Sequence, residues 1–387
     1  MVHAVSRMVL LGMQDTQTIR CVHDRDCGAC ALLGVGYVDQ LRGKRAALRK
    51  AVSSYPTLKD AEVLPCIPSI AQEGYRNRAK MAIGMSKRDA LRVGYFRSGT
   101  REIVDAPDCR VLVPEVLETT RGIRRYLQTT PGVPRELRHV DVRCGSDPKR
   151  QHLTLVFRSK VMPTFPLDAL REACPKVDGI SVNLNPTKGP QVIRGSITPL
   201  WGAREVWVDH AGSRLRVSPA AFFQVNLAML PAIHERMEVF FKRGDVLADL
   251  YAGVGTHGLA LSPRFRRVLF AEGNRSAIAD LKSTIRGKGS TNFRISPVAV
   301  ERSLERLNSE GPDAVVLNPS RAGALPRVLD AVARTPAKKL AYLSCDPQTL
   351  CRDLDILRRQ GFRMLSIQPI DMMPQTRQVE ALALLTR

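Results

Sequence analysis

The spacing of apolar and polar residues divides the chain into three parts. In the first stretch, residues 37–55 carry apolar side chains at helical spacing, with basic residues toward the end as a helix C-terminus prefers. A Pro-rich stretch, 55–69, follows and reads as a linker. From about residue 73 to 201, apolar residues alternate or run over strand lengths, which predicts an α+β middle domain. Its strands are predicted at 79–85, 91–96, 138–144, 152–157 and 180–185, and its helices near 113–127 and 166–174.

From about residue 217 the rhythm changes to strands that alternate with helices. A helix is predicted at 227–242, and a strand, a Gly-rich turn and a helix start at 245–261. Later apolar strands lie at 268–274, 313–319, 340–345 and 379–387. This alternation predicts an α/β fold with a Rossmann-like parallel sheet and crossover connections. We therefore divide the chain into segments 1–60, 61–215 and 216–387.

The net charge of the chain indicates what kind of partner it binds. The 387 residues contain 59 Lys and Arg against 37 Asp and Glu, a net charge of +22. Such an excess favours a polyanion through counterion release. The basic stretch 76–101, with Tyr75, Tyr95 and Phe96 among its charges, predicts an RNA surface, because aromatic rings stack on unpaired bases. The alternative is a solvated sheet face with core aromatics.

Membrane and secreted classes are not supported by the sequence. It contains no apolar run of 18 residues, and residues 1–17 lack the cleavage site of a secretion signal. Nine unevenly spaced cysteines do not resemble a disulfide framework. We therefore expect a cytoplasmic protein with reduced thiols.

Three of the cysteines are spaced like ligands of one inorganic centre. Cys21, Cys27 and Cys30 form C-x5-C-x2-C, and Cys109, in a polar Pro-containing loop, is a candidate fourth ligand. Thiolates suit zinc and iron–sulfur clusters alike, so the spacing leaves both open. The isolated cysteines at positions 66, 144, 174 and 351 are expected to be structural.

Residues 253–258, GVGTHG, match the glycine pattern that lets a backbone approach a nucleotide ligand. Glu272, nineteen residues after Gly253, is placed to accept hydrogen bonds from ribose hydroxyls. NAD enzymes and S-adenosylmethionine enzymes share this arrangement, so it does not choose between them. His257 within the turn is expected at the surface or in a helix cap.

The ends of the later strands narrow the chemistry. They carry Glu272, Asn318 and Cys345, and ligands of such folds bind outside the carboxyl ends of strands. Methylation of uracil at carbon 5 needs a thiolate that adds to carbon 6, a methyl donor, and a base that removes the carbon-5 proton. The chain offers residues of each type.

Together these pieces resemble the RNA uracil-5-methyltransferase family. The matching motifs cover most of the chain, in order: 21–30 with Cys109, 75–81, 222–226, 250–261, 318–323, 344–354 and 371–385. The resemblance implies a class I methyltransferase sheet, an RNA-binding middle domain and a small N-terminal iron–sulfur segment. The implied activity is S-adenosylmethionine-dependent methylation of carbon 5 of an RNA uridine through a cysteine adduct.

The resemblance also implies roles for single residues. Cys345 would be the nucleophile and Glu380 the base. The expected S-adenosylmethionine contacts are Gln224, Tyr251, Thr256, Glu272 and Asn318. A [4Fe–4S] cluster would be held by Cys21, Cys27, Cys30 and Cys109.

Within the family, the chain resembles the shorter members that act on 23S ribosomal RNA. Twenty residues precede Cys21, so we expect no N-terminal RNA-binding barrel and a monomer that favours ribosomal RNA over tRNA. Four positions depart from the family pattern: Gln378 stands where His is expected, Asn318 replaces a frequent Asp, Ser320 a frequent Pro, and Thr256 is less usual.

Other functions fit the motifs less well. A dehydrogenase would leave Cys345 and the cysteine group without a role. Enzymes that methylate exocyclic nitrogens put an aromatic residue after Asn-Pro-Pro, and cytosine-5 enzymes want Pro-Cys in that loop, whereas Ser320 and Arg321 follow Pro319 here. Two alternatives stay open: a tRNA uridine methyltransferase, and a non-catalytic iron–sulfur RNA-binding protein.

Overall fold

The computed structural model describes residues 18–86, 90–187, 189, 191–289 and 291–387. Residues 1–17, for which no secretion signal is predicted, lie outside the described residues, as do Lys87, Arg88 and Asp89 of the basic stretch. Within the described residues, two seven-stranded sheets and one two-stranded sheet form the framework.

Nine α-helices and four short 3₁₀ turns lie in the described part of the chain. Where a sequence-predicted helix exists, the observed helix agrees to within a few residues. None of the described helices is long and apolar enough to cross a bilayer. The helices are α1 Tyr37–Ser53, α2 Pro114–Thr129, α3 Leu167–Ala173, α4 Leu230–Phe241, α5 Thr256–Leu261, α6 Arg275–Lys288, α7 Leu304–Glu310, α8 Pro326–Arg334 and α9 Pro347–Arg359, with 3₁₀ turns at Pro56–Leu58, Leu227–Met229, Ser262–Arg264 and Val300–Arg302.

Sixteen strands are described, and they include all those that the sequence pattern predicts. They are β1 Arg78–Met85, β2 Leu91–Phe96, β3 Ile103–Asp105, β4 Leu137–Cys144, β5 Gln151–Phe157, β6 Val177–Leu184, β7 Ile197–Gly202, β8 Val206–His210, β9 Ser213–Val217, β10 Gly244–Leu250, β11 Phe265–Ala271, β12 Phe293–Ser296, β13 Ala314–Leu317, β14 Lys339–Ser344, β15 Arg363–Ile370 and β16 Glu380–Thr386. The extra ones are short or irregular, which is why periodicity alone does not reveal them.

The first sheet has the order β3-β2-β1-β4-β5-β6-β7. Its neighbours are antiparallel except β5 and β6, which α3 connects as a crossover. One face of the sheet packs on α2 and α3 around an apolar core. This part of the chain is the α+β unit that the sequence predicts.

The second sheet has the order β12-β11-β10-β13-β14-β16-β15. The strands from β12 to β14 are parallel. β16 runs antiparallel to both of its neighbours, β14 and β15, so β15 has the same direction as the parallel strands. β16 is inserted between β14 and β15, so the α/β Rossmann-like fold is confirmed with this one reversal. The central strands are buried on both faces, as parallel sheets require.

The hairpin β8–β9 spans the boundary that we draw after residue 215. Its apolar residues, Val206, Val208, Leu215 and Val217, pack into the core on one face of the second sheet, together with side chains of α4. The hairpin therefore packs on the second sheet, although the boundary predicted from the sequence assigns most of it to the middle domain.

Helix α1 belongs to the N-terminal segment but packs on the other face of the second sheet. Leu48, Ala51 and Val52 share a core with strands β13 and β14. The following linker runs beside β15, where Leu64 N donates to Ile367 O at 2.9 Å and Ile67 N to Pro369 O at 2.9 Å. The linker thereby covers the outer edge of the sheet, which would otherwise expose unpaired backbone groups.

Polar side chains of α1 hold the segment 371–378 that precedes β16. Tyr37 Oη donates to Asp371 at 2.8 Å, and Lys44 Nζ lies 2.5 Å from the same carboxylate. Gln40 Nε2 donates to the side chain of Gln375 at 2.9 Å and its oxygen accepts from Gln375 N at 3.0 Å. These bonds fix a segment whose Gln375 has φ +68°, an unusual conformation for a residue with a side chain.

We expect Lys44→Met to destabilise the fold strongly. Lys44 is 2 % and Asp371 0 % exposed, so the substitution leaves a buried carboxylate without its cation. The expected loss in the free energy of unfolding is about 3–5 kcal/mol, measured by urea denaturation. Lys50→Met, at an exposed site of the same helix, should change stability by less than about 0.5 kcal/mol. A similar small change for both would remove the assigned role of the ion pair.

The basic stretch of the first sheet is only partly an exposed surface. Tyr75 is buried and donates to the carbonyl of Pro374 at 2.9 Å, so the prediction that it lies on an RNA surface is wrong. Tyr95 packs against the core, whereas Phe96 is exposed. Arg78 pairs with Asp141, and burial together with neighbouring arginines lowers the pKa of Lys80 to about 8.

Candidate active site

Five of the predicted functional residues meet at one edge of the second sheet. Tyr251, Glu272, Asn318 and Cys345 follow β10, β11, β13 and β14 directly, and parallel neighbours end at the same edge. Glu380 begins β16, and since this strand is antiparallel its first residue lies at that edge too. The edge therefore combines a glycine turn, an amide, a thiol and a carboxyl group.

Cys345 lies in the two-residue connection between β14 and α9. Asp346 caps the helix, because its carboxylate accepts from Gln348 N and Thr349 N, both at 3.0 Å. Pro347 is the first helical residue, where its missing N–H costs nothing. The sharp turn leaves the Cys345 thiol half-buried, in contrast to Cys351 one and a half turns later, which is buried in the core as predicted.

Glu380 is a buried carboxyl group beside this thiol. The register places Ser344 opposite Ala381, so the residues that follow and precede them are neighbours. Burial raises the pKa of Glu380 to about 8, although the Arg321 guanidinium opposes the rise. Burial also raises the pKa of Cys345, and the Glu380 carboxylate adds to this. A carboxyl group with such a pKa is suited to proton transfer near neutral pH.

Arg321 is a site residue to which the sequence analysis assigns no role. It follows Asn318-Pro319-Ser320, and its Nη2 donates to Oε1 of Gln378 at 2.9 Å. Its charge and a hydrogen bond to the thiol lower the pKa of Cys345, against the effect of burial. Gln378, the departure from the expected His, thus keeps an acceptor that orients Arg321. The sequence signal that could have identified Arg321 is its position within the motif at 318–323.

We expect Arg321→Gln to move the pH–rate profile of the methyl transfer that the resemblance implies to higher pH. Removing the cation raises the pKa of both Cys345 and Glu380, so less thiolate and less carboxylate are present at a given pH below those values. Turnover at pH 7 should fall about tenfold or more and recover partly in alkaline buffer. Arg377→Gln, in the exposed part of the neighbouring segment, should leave the profile unchanged. A uniform loss at all pH values would contradict this role.

The glycine turn after β10 is held by Glu272. Its two oxygens accept from Gly253 N at 2.8 Å and from Asn274 N at 2.6 Å. Gly253 and Gly255 have φ +57° and +86°, which only glycine adopts without strain. Tyr251, just before the turn, has φ +61°, and its hydroxyl donates to Glu301 at 3.0 Å. A non-glycine residue in this conformation is typical of functional sites.

The remaining predicted cofactor residues are Thr256, which directly follows this turn, and Gln224, which belongs to another segment. Thr256 is the first residue of α5, and Gln224 is half-buried in the segment between β9 and α4. That segment is tied on both sides: Asn77 N donates to Val225 O at 3.0 Å, and Asn226 Nδ2 to Met372 O at 3.3 Å. The segment that contains Gln224 is therefore hydrogen-bonded both to the first sheet and to the segment that leads to Glu380.

Comparison with known proteins identifies the family. The family model described as tRNA (Uracil-5-)-methyltransferase matches residues 206–387. An RNA methyltransferase of Geobacter sulfurreducens is 30 % identical over 383 residues, covering 95 % of this chain and 77 % of the relative. One from Thermosynechococcus vestitus is 29 % identical over 377 residues, covering 95 % of this chain and 83 % of the relative. The chain belongs to the RNA uracil-5-methyltransferase family.

A solved structure agrees with this family over nearly the whole chain. The tRNA (uracil-54, C5)-methyltransferase of Pyrococcus abyssi, in complex with S-adenosyl-L-homocysteine, superposes with a TM-score of 0.75 and 25 % identity. The alignment covers 96 % of this chain and 88 % of that chain. The protein is an S-adenosylmethionine-dependent RNA methyltransferase.

The four predicted cluster ligands of the methyltransferase line one cavity. Cys21, Cys27, Cys30 and Cys109 surround it, and Tyr95 contributes to its apolar wall. Burial raises the pKa of Cys30 to about 12, and nearby Cys109, Cys27 and Cys21 raise it further in that order. Within the described ranges, however, no three His, Cys, Asp or Glu residues are drawn together closely enough to hold a metal ion.

The burial of His257 and the exposure of Phe222 bear on the methyltransferase site. His257 is 2 % exposed, and its ring nitrogens bond to His234 and to the Asn318 amide, so the prediction of a surface or helix-cap position is wrong. The periodicity of the predicted helix at 227–242 does not indicate that His234 contacts the site. Phe222 is exposed while Phe223 is buried, so Phe222 is the one of the pair that is accessible to a base.

Proposed function

We propose that this enzyme methylates carbon 5 of one uridine in RNA through a covalent adduct of Cys345. The observation that carries the proposal is the neighbouring position of the Cys345 thiol and the buried Glu380 carboxyl group at the edge of the sheet. A cofactor-binding turn at the same edge adds the third requirement of the chemistry. The family membership supports each of these roles.

The proposed reaction begins with the thiolate of Cys345. Its sulfur forms a bond to carbon 6 of uracil, and the electron pair of the 5,6 double bond moves into an enolate. Arg321 stabilises the thiolate form before attack, since its guanidinium lowers the pKa of the thiol. S-adenosylmethionine supplies a methyl group on a sulfonium, which carbon 5 of the enolate attacks.

Glu380 completes the proposed reaction. Its carboxylate takes the proton from carbon 5, and the resulting electron pair restores the double bond while the sulfur of Cys345 leaves carbon 6. The thiolate is regenerated and the carboxyl group releases its proton to solvent. Burial that raises the pKa of Glu380 to about 8 makes its carboxylate a stronger base than an exposed glutamate.

We further propose that S-adenosylmethionine lies against the glycine turn. The residues that would contact it are Gln224, Tyr251, Thr256, Glu272 and Asn318. Glu272 already uses both oxygens to hold the turn, so it would receive ribose hydroxyls with its remaining lone pairs. Phe222 is a candidate stacking partner for the flipped uracil.

A [4Fe–4S] cluster held by Cys21, Cys27, Cys30 and Cys109 is proposed as a second cofactor. The residue types fit, because four thiols and an apolar wall line one cavity, and the cluster would draw together side chains that stand apart in this structure. Burial first, and then the neighbouring cysteines, raise the pKa of Cys30, and a cationic centre would favour its thiolate form. The cluster would supply cross-links between the N-terminal segment and the Cys109 loop.

A test for the cluster is the colour of protein purified without air. Broad visible absorbance with about four iron atoms per chain is expected, and Cys27→Ser should remove both. A colourless chain that carries zinc would overturn the cluster and keep the site. Cys66→Ser, at a buried cysteine outside the group, is the matched control.

The proposed substrate is ribosomal RNA of the large subunit, with tRNA as the second candidate. The ribosomal assignment rests on the resemblance to shorter family members, whereas the similarity to a tRNA methyltransferase favours tRNA. One chain carries both Cys345 and Glu380 in one sheet, so we propose a monomer, acting in the cytoplasm where RNA meets reduced thiols.

Nucleoside mass spectrometry of ribosomal RNA and tRNA, with and without the gene, tests the activity and the substrate together. We expect 5-methyluridine to disappear from one fraction and to return with the wild-type gene. The gene for Cys345→Ala should not restore it. Unchanged 5-methyluridine in both fractions would refute the proposed function.

A further inference from the structure

Three histidines form a hydrogen-bonded row that ends at Asn318. His210 lies half-buried in β8, His234 is buried in α4, and His257 is buried in α5. Nε2 of His210 is 2.5 Å from Nδ1 of His234, and Nε2 of His234 is 2.9 Å from Nδ1 of His257. Nε2 of His257 is 3.1 Å from the amide nitrogen of Asn318. We call these residues the histidine row.

The chemistry of the groups fixes the direction of these bonds. An amide nitrogen only donates, so Nε2 of His257 accepts from Asn318. A neutral imidazole has one N–H, and His257 therefore carries it on Nδ1 and donates to His234. By the same reasoning His234 donates from Nδ1 to His210, whose own proton lies on Nδ1 at the outer end. The row thus points outward from Asn318.

All three rings are neutral in this arrangement. Burial lowers the pKa of His257 to about 4 and holds that of His234 well below its usual range. Burial also lowers the pKa of His210, while the Glu238 carboxylate opposes this. The half-buried His210 is thus the ring that is best placed to take up a proton from solvent.

We propose that the histidine row sets which atom of the Asn318 amide faces the cofactor cleft, and that acid reverses it. In the reversed row each ring carries its proton on Nε2, and the amide is rotated so that Oδ1 accepts from His257. Three N–H groups are present before and after. The reversed row leaves a lone pair on Nδ1 of His210, and one proton from solvent then binds there. Because only this arrangement accepts the proton, low pH favours it.

The charged groups around His210 are consistent with proton uptake at this end. Glu238 of α4 is the nearby carboxylate, and Arg264 pairs with it at 2.7 Å. Lys288 of α6 donates to the hydroxyl of Ser213, the first residue of β9, at 2.7 Å. The inner neighbour, His234, is neutral. A carboxylate that is already shared with an arginine gives only modest support to a cation, so the transition is expected below the ordinary histidine pKa of about 6.5.

Reversal matters because of the charges on the cofactor, and this step rests on the proposed contact between Asn318 and S-adenosylmethionine. The cofactor carries a sulfonium and an ammonium group, and both are better met by a carbonyl oxygen than by an amide N–H. In the arrangement described, Oδ1 is the amide atom turned away from His257. Reversal would bring the NH₂ group to the cleft and weaken cofactor binding. The histidines therefore act as positioning residues.

Nuclear magnetic resonance of the full chain with ¹⁵N-labelled histidine tests the row itself. Protonated and unprotonated ring nitrogens have well-separated shifts, so the spectrum reports each tautomer. At about pH 8 His234 and His257 should carry their protons on Nδ1, and at about pH 5.5 on Nε2. His234→Gln and His257→Gln provide the assignments. Tautomers that stay the same across this range would overturn the proposal.

Calorimetric titration with S-adenosylmethionine tests whether reversal of the row weakens cofactor binding. Between about pH 8 and 5.5 the wild-type protein should lose about tenfold more affinity for S-adenosylmethionine than His210→Phe, which lacks the outer nitrogen. Burial raises the pKa of Asp249, in β10, to about 7 and that of Glu380 to about 8. Both carboxyl groups titrate in both proteins, so the difference between the proteins isolates the row. His139→Gln, outside the row, should follow the wild type. Equal losses in wild type and His210→Phe would overturn the proposal.

The row and the proposed function fail in different ways. Asn318→Asp offers only acceptors, so it should hold His257 in its Nε2–H form at all pH values, whether or not the enzyme is active. A tautomer change with acid in a protein that does not methylate uridine would support the row and refute the function. Methylation together with Nδ1–H tautomers at every pH would refute the row alone.

Discussion

Replacing Cys345 by alanine should reduce uridine methylation by about 10⁴-fold or more while leaving cofactor binding unchanged. Without the sulfur no adduct forms at carbon 6, and carbon 5 of uracil is too weak a nucleophile to attack the methyl group. The glycine turn, held by Glu272, does not depend on the thiol, so the affinity for S-adenosylmethionine should persist. Methyl transfer from labelled cofactor and calorimetric titration measure the two effects.

The matched control for this prediction is Cys351→Ala. Cys351 lies in the same helix region but is buried in the core, so its loss should lower thermal stability and spare turnover below the unfolding temperature. RNA with 5-fluorouridine offers a direct readout, because fluorine is not removed as a proton and the adduct persists. A persistent adduct with Cys345→Ala would show that another group is the nucleophile.

Glu380→Gln should allow the first half of the reaction and block the second. The amide does not accept the carbon-5 proton, so the methylated uracil stays bound to Cys345 and turnover falls by about 10³-fold. A protein–RNA complex that survives denaturing electrophoresis should accumulate with natural uridine, without fluorine. Rapid turnover with no such complex would mean that a different group acts as the base.

The same substitution should stabilise the folded protein at alkaline pH. The pKa of Glu380 rises from about 4.5 in the unfolded chain to about 8 in the fold. Between these values the unfolded chain releases a proton that the folded chain keeps, so the free energy of unfolding decreases as pH rises. At about pH 8.5 Glu380→Gln should exceed the wild type by on the order of 4 kcal/mol, and near pH 4.5 the two should be alike. Unfolding in urea at both pH values measures this difference.

The fold and the motif positions were largely readable from the sequence. The strand at 79–85 and the helix at 37–53 follow from periodicity, whereas the strand at 268–274 follows from a continuous apolar run, because both of its faces are buried. Less readable were the short strands and the hairpin β8–β9, whose pattern is too brief to carry a period. The packing of α1 on the second sheet was also beyond the sequence, since nothing local records a partner more than 300 residues away.

The sequence by itself determined which chemical groups the enzyme possesses: a thiol at a strand end, an acid at the start of the last strand, a glycine turn and the four cysteines that we propose as cluster ligands. Only the tertiary structure decided how these groups meet. In an all-parallel sheet Glu380, as the first residue of a strand, would lie at the edge opposite Cys345. The antiparallel insertion of β16 between β14 and β15 reverses this and brings the two together.

The same reasoning holds for the residues around the site. Arg321, Gln378 and the histidine row are separated in sequence by tens of residues, and their hydrogen bonds exist only because β13, β16, α4 and α5 converge. Side-chain type and strand order along the chain are local properties, whereas strand direction and ring-to-ring contacts depend on how the whole core packs. The sequence therefore names the reactants of this site, and the packed sheet sets the pKa values and orientations with which they act.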